Sequence, residues 1–111
     1  DNIRPGLYQA DYTGLVANKA AEKRTESVTI SGKACESTDI LMKDLPVPPL
    51  STGDIFATFT TGAYGYSMAS NYNKLPIPAV VLVKDGQDQL IVARQSYEQM
   101  IQNERFLEEW R

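Results

Sequence analysis

"AVVLVKDGQDQLIVAR", residues 79 to 94, sets two apolar runs on either side of a polar centre. Val, Leu and Ile crowd both runs, and Asp85-Gly86 supplies the left-handed backbone positions that a tight reversal needs. The stretch therefore predicts a β-hairpin, with a loop of two residues or somewhat more. Upstream the same texture recurs. "SVTI" (27 to 30) alternates polar and apolar residues before Gly32, and "DIFATFTT" (54 to 61) follows the turn-forming Gly53. "LYQADYTGLVAN" (7 to 18) is compatible with a further strand, weakened by Gly14. "DLPVPPL" (44 to 50) must be an irregular crossing or an edge segment, because proline cannot donate to a ladder.

Two stretches break this β pattern. Ser96 and Gln99 have the spacing of a capping box, and Tyr97, Met100 and Ile101 then share one face, which predicts a C-terminal helix from Ser96. Phe106 and Trp110 either continue it or form a second short turn after Asn103. In "TTGAYGYSMASNYN" (60 to 73) a strand runs into a polar, glycine-punctuated segment whose "SMASNYN" has room for one or two helical turns. The expected class is mainly β with two short helices.

Composition narrows the function. At 111 residues the chain is one domain at most. Its start at Asp1, without an unstructured lead-in, gives the expectation of a piece of a longer polypeptide. Fourteen carboxylates outnumber 11 scattered Lys and Arg, so nucleic acid is not the expected partner. No apolar run approaches the ~20 residues of a membrane helix, and the start carries no signal-peptide pattern. A soluble, cytoplasmic protein is expected. With no histidine and one cysteine, a zinc site lacks its usual ligands, and Cys35 has no internal disulfide partner.

That single cysteine stands in "CESTD" (35 to 39), directly beside Glu36 and Asp39. By residue type alone Cys35 would be a buried apolar residue, and Arg4 and Glu36 solvated surface charges. Tyr8 and Tyr64 would be half-buried strand aromatics.

"RPGLY" (4 to 8), "CESTD" (35 to 39), "TTGAYGYSMASNYN" (60 to 73) and "YEQM" (97 to 100), in that order and spacing, resemble the C-terminal part of the diaminopimelate decarboxylases. The resemblance covers essentially the whole chain. It implies the β-sandwich or barrel domain that follows a pyridoxal-phosphate-binding (β/α)8 barrel, as in alanine racemase. Residues 1 to 111 would be that domain, with the barrel and its cofactor lysine absent and the chain alone inactive. The implied reaction removes one carboxylate from meso-diaminopimelate to give lysine, in a homodimer with shared active sites.

By resemblance, Cys35 is the acid that returns a proton to the α-carbon in the partner subunit's site; a thiol of pKa ~8.5 holds that proton at neutral pH. Glu36 would pair with the substrate's distal ammonium, and Arg4 would fork onto its distal carboxylate. Tyr8, four residues after Arg4 and on the same face of a twisted strand, would help hold the substrate. Tyr64 would touch both substrate and cofactor, with Gly62 and Gly65 letting backbone approach closely. Asp39 would orient the cysteine loop, pair with a cation, or stabilise an Asx-type turn. Two departures stand out: Thr38 where the family usually has glycine, and Asp11-Tyr12-Thr13 where it often has a histidine. A β-branched Thr38 would resist a positive φ. Two rival readings remain open, a sister decarboxylase acting on ornithine, arginine or a carboxylated polyamine, and a β-rich interaction module with no catalysis.

Overall fold

A computed structural model describes residues 4–107. The chain forms two compact units, residues 1–67 and 68–111. Each is built on antiparallel two-stranded ladders.

In the first unit, RPGLY is helical rather than extended: α1 spans Arg4–Tyr8. Proline is well suited to a first helical turn, where its missing N–H is no loss, so Pro5 favours the helix. Gln9, at φ +52°, ends it in the left-handed conformation common just past a helix. The strand expected over residues 7 to 18 is thus confined to β1, Gly14–Val16. A 3-10 turn, Ala17–Lys19, follows directly. Two longer strands come next, β2 (Glu26–Ser31) and β3 (Ile40–Val47), then the short β4 (Phe56–Thr58).

β1 pairs with β4, and β2 pairs with β3. Pro46 lies inside β3, opposite Ser27, and is tolerated because β3 has a partner on one side only. Val28 faces Leu45 while Ile30 faces Met42, so β3 carries an extra residue there, beside Asp44 at φ +52°. The bulge breaks the period-two alternation of "ILMKDLPV". Val16, Met42 and Val47 are buried and form the small core of this unit.

A polar cluster fastens β1 to β4 from outside that core. Lys19 Nζ donates to Asp54 Oδ2 at 2.7 Å and to the Pro49 carbonyl at 2.8 Å. Asn18 Nδ2 donates to Asp54 Oδ1 at 2.8 Å, and the Ser51 amide to Oδ2 at 2.8 Å. The Lys19 hydrogen bond foremost, then those from Asn18 and Ser51, pull the Asp54 carboxyl down from 3.8 to about 2. The fold favours the ionised form, so this stabilisation is complete above the ordinary carboxylate range and is lost as pH falls toward about 2. Asp54→Asn in the full-length protein is therefore expected to flatten the decline of the unfolding midpoint between about pH 4 and about pH 2. Parallel declines in the two proteins would show that the cluster contributes nothing.

Between β4 and the second unit, α2 (Gly62–Gly65) lies on the GAY motif itself rather than after it. The helical turns expected in "SMASNYN" reduce to one 3-10 turn, Tyr72–Lys74, interrupted by Asn73 at φ +54°. In the second unit β5 (Val80–Lys84) and β6 (Gln87–Val92) form the predicted hairpin, closed by the two residues Asp85 and Gly86 at φ +51° and +73°. Both positive angles match a type I′ turn, whose twist suits the flanking strands.

The Gln95 side chain accepts from the Ile77 amide at 3.0 Å and also meets Asn71, which steadies the proline-containing approach to β5. α3 (Tyr97–Ile101) starts at the predicted capping box: the Gln99 amide donates to Ser96 Oγ at 3.2 Å and the Ser96 amide to Gln99 Oε1 at 2.8 Å. A hydrogen bond from Ser96, and then from its own amide, lowers the Glu98 carboxyl. The helix stops at Ile101 and does not continue to Phe106; Trp110 lies outside the described residues.

No described residue of the second unit is buried. Val81, Leu82, Val83, Leu90 and Ile91 are all exposed, so the hairpin displays apolar side chains on both faces. No helix among the described residues is long and apolar enough to cross a membrane.

Candidate functional site

The residues singled out from sequence fall on three segments of the first unit. α1 carries Tyr8, the β2–β3 loop carries Cys35 and Glu36, and α2 carries Tyr64. The side chain of Arg4 lies outside the described residues, although its backbone opens α1. Positions 4 and 8 are one helical turn apart, so the spacing of four works through the helical period and not through strand alternation.

α1 and the cysteine loop are in contact. A β-carbon on Gly6 would sit 3.2 Å from Thr38 Cβ and 3.3 Å from the Thr38 carbonyl, so the bare glycine lets the helix rest on the loop. RPGLY and CESTD are thereby brought together. Thr38, the departure from the expected glycine, is not among the residues with positive φ, so its branched side chain meets no backbone conflict.

The loop itself, residues 32–39, is irregular and closes on Asp39. The Gly32 amide donates to the Asp39 carbonyl at 3.0 Å, and the Asp39 amide to the Glu36 carbonyl at 3.1 Å. The Asp39 carboxylate accepts from the Ala34 amide at 2.8 Å and is only 9% exposed. Cys35 and Glu36 are exposed at the crest. The thiol is thus not sealed in apolar packing.

Tyr64 occupies a separate turn and stands at φ +71°, an uncommon conformation for a bulky residue. Such strain persists only where surrounding structure enforces it, and it concentrates at functional sites. The side chain is 60% exposed, Tyr8 is 65% exposed, and nothing stands within 4 Å of where a β-carbon on Gly62 would lie. Neither tyrosine is a half-buried strand aromatic. The open backbone at Gly62 and the neighbouring phenol suit the approach of an anionic group such as a phosphate.

A cleft of about 580 Å³ opens between α1 and β3, edged by Gly6, Asp11, Thr38 and Asp44. Cys35, Glu36, Tyr8 and Tyr64 do not line it. They stand on open surface, an arrangement that presents reactive groups outward.

The Asp54 cluster and the Asp39 contact to Ala34 were not visible as such in the sequence. The polar run of CESTD was the only signal for the second, and Asn18-Lys19 offered none for the first.

Residues 1–62 match the family model described as "Pyridoxal-dependent decarboxylase, C-terminal sheet domain". Diaminopimelate decarboxylase from Bacillus methanolicus is 56% identical over 94 residues, 85% of this chain and 22% of that protein. The Bacillus subtilis diaminopimelate decarboxylase is 52% identical over 101 residues, 91% of this chain and 23% of its own length. The chain therefore spans less than a quarter of these relatives. Among solved structures, diaminopimelate decarboxylase from M. jannaschii in complex with L-lysine superposes with a TM-score of 0.87 at 34% identity, covering 96% of this chain and 24% of that one.

Proposed function

The chain belongs to the pyridoxal-dependent decarboxylases as their C-terminal sheet domain, and from that premise we propose that it is the part of a diaminopimelate decarboxylase that supplies a proton donor and the groups reading the distal end of the substrate. The exposed Cys35-Glu36 crest, with α1 packed against its loop, carries this reading. Open placement of Tyr8, Cys35, Glu36 and Tyr64 supports a site completed by a barrel domain and by a second subunit. The second unit, with no buried described residue, supports the same view, since an apolar hairpin left in water forgoes most of its hydrophobic stabilisation.

Pyridoxal phosphate, when bound, provides the electron sink that makes loss of the α-carboxylate feasible. Within this chain Tyr64 and the Gly62 backbone would hold its phosphate side; the lysine and the main phosphate loop belong to the barrel. Cys35 Sγ would give its proton to the α-carbon after carbon dioxide has left, which requires the thiol to be protonated at working pH. Glu36 would face the distal ammonium and Arg4 the distal carboxylate, so both charges of the remote amino-acid end are recognised. Lysine keeps that remote end intact, since only the carboxylate of the reacting carbon is lost. Ornithine and arginine have no remote carboxylate, and a site that leaves Arg4 unpaired disfavours them. Tyr8, one turn from Arg4, would add a hydroxyl to the same end. The enzyme would work in the cytoplasm as a homodimer.

Steady-state assay of the full-length protein against meso-diaminopimelate and ornithine tests the reading. Turnover of the first and not the second is expected; the reverse pattern would assign the chain to a sister decarboxylase.

A further inference from the structure

We propose that Asp39 is a positioning residue that sets the geometry of the Cys35-Glu36 crest through the Ala34 amide, an inference that rests on the proton-donor reading of Cys35. An Asx turn would send the carboxylate forward to an amide two residues on. Here it reaches back five residues instead, to the amide immediately before Cys35. Asp39 makes no ion pair among the described residues, so it is not engaged with a cation there. A carboxylate this buried is costly to hold unless it is hydrogen-bonded, and the Ala34 N–H meets that need.

Gly32 reserves the space. A β-carbon there would fall on the Asp39 carboxylate group, so any other residue would displace it. Three hydrogen bonds thus close an otherwise irregular loop around one side chain, with the thiol and Glu36 on its outer surface. A proton donor shifted by about an ångström can lose two orders of magnitude in rate, so a group that fixes the loop affects turnover without touching substrate.

The test uses the full-length holoenzyme and two readouts. By hydrogen exchange read on peptides spanning 32–36, Asp39→Ala should exchange faster than wild type at the Ala34 amide, whereas Asp39→Asn, which keeps an acceptor oxygen, should stay protected. In assays Asp39→Ala should lower kcat by about tenfold or more with KM within about threefold, and Asp39→Asn should recover most of the loss. Gly32→Ala should reproduce the Asp39→Ala defect, and the double variant should be no worse than Asp39→Ala alone. Wild-type exchange and turnover in Asp39→Ala would overturn the proposal, as would an Asp39→Asn protein as impaired as the alanine variant. If Asp39→Ala does not fold, normal turnover in Gly32→Ala overturns it equally. Failure of wild-type enzyme to turn over meso-diaminopimelate would instead reject the functional reading and leave the exchange result to judge Asp39.

Discussion

Replacing Cys35 by alanine in the full-length enzyme is expected to lower kcat by about a hundredfold or more while KM moves by less than about threefold, because general acid catalysis contributes roughly 10²–10⁴ and acts in the transition state. The expectation follows from where the thiol stands. Cys35 is exposed on a loop crest, whereas free cysteines are usually buried as small apolar residues. Its removal opens no core cavity, so a fall in turnover would not be a packing defect. Stopped-flow and steady-state kinetics on meso-diaminopimelate separate the two constants. Unchanged kcat would take Cys35 out of the reaction. A raised KM with kcat intact would recast it as a binding contact.

Glu36→Ala should act on the other constant. Truncating one member of a desolvated charge pair commonly costs ~2–5 kcal/mol, so affinity for meso-diaminopimelate should fall by somewhere between about thirtyfold and a few thousandfold. Glu36 is exposed in this chain, and the figure applies once the rest of the site covers it. The loss should shrink for an analogue without the distal ammonium, since nothing is then left unpaired. Titration calorimetry with substrate analogue gives the numbers directly. Equal affinities for both proteins would mean that Glu36 faces water in the holoenzyme as well.

Local chemistry was legible where it is self-contained. Asp85-Gly86 specified its turn and Ser96 with Gln99 specified the start of α3, because each device needs only neighbours within a few residues. β3 was harder to see. Its bulge at Asp44 and its internal Pro46 erase the alternation on which strand recognition depends, leaving only an edge segment to be inferred. The spacing of Arg4 and Tyr8 fits one face of a twisted strand as well as one helical turn, yet proline in a first turn favours the helix, and Gly6 serves the contact with Thr38.

The candidate site followed the same division. Residue types in CESTD pointed to chemistry, but what holds the loop lies in contacts between Asp39, Ala34 and Gly32 that no period or motif encodes. The Lys19–Asp54 pair, 35 residues apart in sequence, is a tertiary fact of the same kind.

A crystal structure of the intact holoenzyme with lysine bound tests the proton-donor role of Cys35 most directly. Its sulfur should lie across the subunit boundary within direct or one-water reach of the product's ε-carbon, the carbon that has lost its carboxylate, with Glu36 on the α-ammonium at the remote end. A thiol turned away from the coenzyme, with some other acid in that place, would contradict the account.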